Sequence, residues 1–274
     1  MVRRLARLLG YTCSVAIAVV LTGCAGMDHM GGSRGDASRL ENAIVMDNAR
    51  FVRGTIESGA ISANQRVPAA AWPDGAPLLA IAARAAALEV MRYLISVGAD
   101  LNARSPVGET PLMLAAFFKD DADGGATRGT ARYEQAVRLL VTAGADLENM
   151  PYHYTPLAYA AYQGNDRLVR FFIERGARVN ADARDGGTYI NTPLMMAAIQ
   201  GHENIVRSLL RAGADADVRV YGGHTAAEFA AKNNHRALAQ LLLCAQRQYG
   251  AAAFGAQCRA LLGLDASDQQ QSAR

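Results

Sequence analysis

The sequence is poor in the residue patterns that carry chemistry. It has four cysteines and five histidines in 274 residues. No His-Glu-x-x-His run and no phosphate-binding loop occur, so the zinc-protease and nucleotide-hydrolase signatures are missing. His29 has no partner in sequence, and His153, His224 and His235 lie in turn-like segments. Cys244 and Cys258 come without a paired histidine, which is not a zinc spacing. No catalytic residue, metal site or cofactor is assigned. Long apolar runs are also lacking. The stretch from Leu8 to Val20 falls short of the roughly 20 residues that cross a bilayer.

That short stretch has another meaning. Arg3, Arg4 and Arg7 precede it, and Leu21-Thr22-Gly23-Cys24 follows. A basic start, an apolar run and small residues at a cleavage point make a secretory signal. The Leu-Thr-Gly-Cys run resembles the lipobox of bacterial lipoproteins. The resemblance implies that residues 1–23 are removed, that the Cys24 thiol takes a diacylglycerol, and that the new amine is acylated. Two or three acyl chains, palmitate among them, anchor far more firmly than one. Ala25, not Asp, follows the cysteine, and by the family's rule this places the protein at the outer membrane, facing the periplasm. Residues 24–37 are aperiodic and read as a flexible tether.

Removal of that signal cancels the positive balance. Without its three arginines the chain holds 25 basic and 25 acidic residues. A nucleic-acid partner, which calls for a basic patch or stripe, is not expected. Cys13 leaves with the signal, and Cys24 is the lipid site. Cys244 and Cys258 remain as a candidate disulfide in an oxidising compartment. Its short loop sets its worth at about 3 kcal/mol. The alternative is two buried thiols that never meet.

Against these absences stands a phrase that recurs about every 33 residues. Thr110-Pro111-Leu112 leads to Gly144-Ala145-Asp146, Thr155-Pro156-Leu157 to Gly176-Ala177, and Thr192-Pro193-Leu194 to Gly213-Ala214-Asp215. A period of this length marks a stacked array, which binds more often than it catalyses. In the clearest unit Thr192 caps a first helix, and Pro193 fits the first helical position. Ala197 and Ala198 let neighbouring helices approach. Gly201 ends the helix where a positive φ is wanted. Ile205, Val206, Leu209 and Leu210 give a second helix its buried stripe.

This unit, with His202 in its Gly-His turn, resembles the ankyrin repeat. The resemblance implies an all-α ankyrin-repeat solenoid of about six helix-turn-helix units. They span 38–245, at about 38–66, 74–104, 108–149, 153–182, 190–218 and 223–244. A C-terminal capping helix at 246–264 and a polar tail at 265–274 follow. Some units depart from the pattern. Ala76 stands where a capping Thr belongs, the first unit lacks Thr-Pro and carries Arg39, and Ala226 replaces Pro in the last. Degenerate outer units suit caps that face water on one side.

The spacing also breaks. Pro to closing Gly is 20 residues in the fourth and fifth units but 33 in the third, so 13 are extra. They fall around Lys119 to Tyr133, with Asp120, Asp121 and Asp123 at the core. An EF-hand register fails there, because Gly125 stands fifth counting from Asp121. The insertion reads as a solvated loop between two helices.

The family binds through finger tips and the exposed ends of first helices. Here those positions are Arg84, Phe117, Phe118, Tyr162, Gln163, Ile199 and Gln200 on helices, and Tyr152, Tyr154, Tyr189 and Tyr221 in fingers. Aromatics are enriched at hot spots, and this spread suits a protein surface better than an enclosed small-molecule pocket. The expected partner-binding set is Phe117, Tyr152, Tyr154, Tyr162, Gln163, Tyr189, Ile199, Gln200 and Tyr221. The protein is expected to be a monomer, not an enzyme, with a protein as its partner. Lipid-anchored binders of this kind resemble immunity proteins that neutralise a delivered toxin, such as a type VI phospholipase effector. Other expectations are a scaffold or protector of a periplasmic enzyme, for example in oxidative stress, or a hydrolase or sugar-binding protein using the insertion loops.

Overall fold

A computed structural model describes residues 34–117, 126–148, 154–180, 191–220 and 223–248. Cys24, Phe118, Tyr152, His153, Tyr189, Tyr221, Cys258 and the capping segment past Gln248 lie outside them. So do residues 118–125 of the insertion.

Helices come in pairs. The first members are α1 (Arg34–Val45), α3 (Leu78–Arg84), α5 (Pro111–Phe117), α7 (Pro156–Gln163), α9 (Pro193–Gln200) and α11 (Ala226–Lys232). The second members are α2 (Ala49–Glu57), α4 (Leu88–Ser96), α6 (Ala126–Ala143), α8 (Asp166–Glu174), α10 (Glu203–Arg211) and α12 (Arg236–Gln248). First helices pack in sequence order, α1 on α3 and so on to α11. Second helices form an outer layer, with α2 on α4, α4 on α6 and α8 on α10. This is a two-layered helical solenoid, and α1 starts four residues before the boundary expected at Ser38.

The caps follow from local chemistry. The Thr110, Thr155, Thr192 and Thr225 hydroxyls accept from the amides of Met113, Ala158, Met195 and Glu228 at 3.3, 3.1, 3.3 and 3.4 Å. All four threonines are buried, so each hydroxyl satisfies a donor that water cannot reach. Where Ala76 replaces the threonine, Pro77 is the N-cap of α3 and no side chain caps the helix. The Ala-Ala pairs 82–83, 115–116, 160–161 and 197–198 are buried between first helices. Their small side chains permit the close packing that a larger residue would wedge apart.

Gly164 and Gly201 end α7 and α9 in left-handed conformation, each with φ 77°. The ring of the next unit's histidine lies across each of them. A Cβ on Gly164 would come within 2.7 Å of His202, and one on Gly201 within 2.4 Å of His235. These rings meet the Tyr162 and Ile199 carbonyls through Nε2 at 3.1 and 3.2 Å. A carbonyl accepts, so Nε2 carries the proton.

One finger contains a two-stranded hairpin that the all-helical reading did not separate. Strands β1 (Arg66–Ala69) and β2 (Trp72–Pro77) pair antiparallel, with Val67 opposite Ala76 and Ala69 opposite Trp72. Val67, Ala69 and Trp72 are buried, while Arg66 and Pro68 face out.

The expectation of a solvated loop fails over 126–133. These residues are helical, and α6 is 18 residues long where α4, α8 and α10 have nine. The extra turns are pinned to earlier units. The Arg132 guanidinium donates to the Asp47 carboxylate at 2.9 Å and to the Ala86 carbonyl at 3.1 Å. The Tyr133 hydroxyl donates to the Arg84 carbonyl at 2.9 Å. Asp47 in turn accepts from the amides of Glu89 and Val90, capping α4 from a neighbouring unit. A residue count measures the length of an insertion but not its conformation.

Candidate partner-binding face

The fingers are tied together by a repeated device. Asn64 accepts from the Asp100 amide at 2.7 Å, Asn102 from Asp146 at 3.0 Å, and Asn180 from Asp215 at 2.9 Å. Each link spans one unit and holds adjacent fingers in register. The third link differs, because Glu148 takes the asparagine's place and accepts from the Arg178 amide at 2.7 Å. Its second oxygen is buried without a hydrogen bond, 3.5 Å from the Arg178 Nε. Burial pushes the Glu148 carboxyl up, and the Arg178 contacts only partly oppose this.

On the inner face the structure brings two of the expected residues together through a third. Phe117 meets Tyr159 edge-on at 5.2 Å, and Tyr154 meets the same ring at 5.8 Å. Tyr159 is buried, and Phe117 and Tyr154 are half-buried against the core. Burial raises the Tyr159 hydroxyl far above its ordinary range, with the Glu109 and Tyr154 charges adding to the effect. The Tyr154 hydroxyl is raised by burial, opposed by the Asn191 backbone amide. Glu109 is raised by burial, and the Arg84 charge opposes it. Arg84 lies 5.4 Å over the Trp72 ring. A band of rings and charge thus runs from the hairpin finger across α3, the Glu109 finger and α5 to α7.

Glu109, Trp72 and Tyr159 were missed in sequence. Glu109 directly precedes a Thr-Pro cap and Trp72 is the sole tryptophan, which are faint signals. Tyr159 occupies an ordinary core position, and only packing reveals its role. The other expected residues divide by exposure. Among the described residues, Tyr162, Gln163 and Ile199 are half-buried and Gln200 is exposed. Tyr162 and Ile199 also pack on the core, so their rings and methyls belong partly to the fold. Cys244 is buried on α12.

His224 braces a finger to a helix. Its Nδ1 lies 2.9 Å from the Glu228 carboxylate, and the Lys232 ammonium donates to Nε2 at 2.7 Å. Nδ1 therefore holds the ring proton toward Glu228, whose carboxyl is lowered first by that hydrogen bond. One spacing was passed over in sequence. Gly31-Gly32-Ser33-Arg34-Gly35 has the Gly-x-Ser-x-Gly pattern. That motif requires a strand–turn–helix setting. Ser33 lies outside the described residues, and the pattern alone assigns no chemistry.

Paired helices in two layers with linked fingers define a helical repeat protein. Family models specify the repeat. The model for "Ankyrin repeats (3 copies)" matches residues 180–253, and that for "Ankyrin repeat" matches 74–106 and 152–185. The chain carries ankyrin repeats in an all-α solenoid, and the matched segments flank the unit with the insertion. Among curated proteins, the transient receptor potential cation channel subfamily A member 1 homolog of Caenorhabditis elegans is 32% identical over 114 residues. The aligned stretch is 42% of this chain and 8% of that protein, so the chain spans a small part of that relative's length. Ankyrin repeats generally mediate protein–protein binding and are generally non-enzymatic scaffolds.

Proposed function

We propose that this chain is a lipid-anchored scaffold that captures one protein partner through its first helices and fingers, at the outer membrane facing the periplasm. The observation that carries the binding reading is the half-buried band of Arg84, Glu109, Phe117 and Tyr154, backed by the buried Trp72 and Tyr159 rings. Rings and charge held partly desolvated on a rigid frame suit hot-spot contacts, because little side-chain entropy is left to lose on binding. The basic start, apolar run and Leu-Thr-Gly-Cys order support acylation at Cys24. The narrower role we infer is that of an immunity protein, in which the inner face or the insertion covers a toxin's active site. The buried position of Cys244, and an even pair with Cys258 in an oxidising compartment, support a disulfide beneath the last unit.

Affinity purification of the acylated chain from its native periplasm, with mass spectrometry of what co-purifies, tests the reading. One dominant protein is expected, and a Gln163→Arg, Gln200→Arg variant with an unchanged melt should lose it. Retention by that variant, or recovery of no partner, would refute binding through this face.

A further inference from the structure

The charge of this chain is sorted by layer. The second helices, α2, α4, α6, α8, α10 and α12, hold twelve basic residues and six acidic ones. The rest of the chain from Arg34 onward holds thirteen basic and eighteen acidic residues. All twelve basic residues of the outer layer are arginine, and the two lysines of the chain, Lys119 and Lys232, lie outside it. Of the ten whose side chains are described, nine are exposed and only Arg207 is half-buried. Several lie in intrahelical pairs, yet remain open to water. Arg92 and Arg170 are 51% and 57% exposed beside Glu89 and Asp166, and Arg167 is 77% exposed. A guanidinium in such a pair keeps donors for a second anion, and its planar fork matches phosphate oxygens.

Two further observations point the same way. Val45, Met46 and Phe51 are three of the exposed large apolar residues, and they flank the turn that starts the first outer helix. Arg50 is exposed beside Phe51. Nine residues separate Cys24 from Arg34, a reach of roughly 35 Å at full extension. A chain anchored at Cys24 keeps this first unit close to lipid headgroups.

We propose that the outer-helix layer docks on the anionic phospholipid surface to which the chain is tethered, leaving the first helices and fingers turned toward the periplasm. Arginines of α4, α8, α10 and α12 meet lipid phosphates, and Met46 and Phe51 seat in the interface at the tethered end. The proposal rests on the anchoring read at Cys24 for its membrane, but its contacts do not depend on the acyl chains.

The test therefore uses the chain from residue 24 with Cys24→Ser, which has no lipid. It should co-sediment with phosphatidylglycerol-containing vesicles at low salt, and not with pure phosphatidylcholine vesicles. Replacing Arg92, Arg167, Arg211 and Arg236 with Gln should weaken partitioning by about fivefold per charge removed, with an unchanged circular-dichroism melt. Arg178→Gln with Arg219→Gln, on the finger side, should leave it within about twofold on the same charge scale. Equal binding to neutral vesicles, no binding to anionic ones, or no loss in the fourfold variant would each overturn the proposal. So would binding to duplex DNA as tight as to vesicles, or a salt-sensitive dimer that forms through this layer instead. Acyl labelling at Cys24 is read separately in cells, so failure of the anchor and failure of the docking face are distinguishable.

Discussion

Two glycines with nearly the same backbone should respond very differently to the same substitution. Gly164 has φ 77° and Gly213 has φ 88°, so alanine at either position bears the left-handed penalty of about 1–2 kcal/mol. Around Gly213 the space is open, and the cost should stop there. At Gly164 the new methyl would lie 2.7 Å from the His202 Cε1 and 2.8 Å from its Nε2. The ring must move. Its 3.1 Å bond to the Tyr162 carbonyl is then lost, at about 1 kcal/mol, and crowding between α7 and α9 adds about 1–3 kcal/mol. Gly164→Ala should therefore cost about 3–6 kcal/mol, roughly 2–4 kcal/mol more than Gly213→Ala. Urea denaturation followed by circular dichroism measures both. Adding His202→Ala to Gly164→Ala should remove the crowding part while leaving the backbone part. Equal costs at the two glycines would refute the claim that the histidine ring is a packed strut between units.

Other consequences are open to measurement. Glu148→Asn, which restores the residue used at the other finger links, should stabilise the fold by about 1 kcal/mol at neutral pH, the cost of an unsatisfied buried oxygen reduced by partial exposure. The Glu148 carboxyl is raised in the folded state, so the stability it contributes is present in acid and is lost as pH rises through the folded value. Wild type should lose stability relative to Glu148→Asn between the ordinary carboxylate range and neutrality, and parallel pH profiles would contradict this. Arg132→Gln should speed hydrogen exchange over 126–133 and cost about 1–3 kcal/mol, the scale of a hydrogen bond to a charged group; unchanged exchange would mean that the added turns hold without their pin. After a high-salt wash that screens the arginine contacts, Cys24→Ser should move the protein from the membrane fraction to the soluble periplasm, and retention through that wash would remove the anchor. Alkylation without reductant should leave Cys244 and Cys258 unlabelled, and labelled thiols there would exclude the disulfide.

What was legible in sequence is the chemistry that acts within a few residues. Thr155 and Thr192 reach amides three positions on, and Pro156 and Pro193 sit where a missing N–H is harmless, so first helices can be placed from the chain alone. Gly164 and Gly201 are readable for the same reason, since a left-handed cap is a local demand. The lost cap at Ala76 follows from the same rule. Features that depend on contacts between distant segments were not readable. The turns at 126–133 hold partly because Arg132 finds Asp47 and Ala86, more than 40 residues away. The shared ring at Tyr159 likewise arises only when units stack, whereas the hairpin at Trp72 pairs residues within one finger and was simply overlooked. Of the expected binding residues, Tyr154 and Tyr162 proved to be partly core. A first-helix position in a solenoid faces its neighbours as well as the open groove, and side-chain size decides the balance. Glu148 was hidden by its own regularity, because it stands in register as if it were another asparagine.

The central claim is that a protein partner lies against the first helices and fingers, and site-specific photocrosslinking tests it most directly. A photoreactive residue at Gln200, exposed at the end of α9, should give one discrete adduct with a periplasmic protein. The same residue at Arg211, exposed on α10 in the outer layer, should give no protein adduct. An adduct from position 211 with none from position 200 would contradict the account.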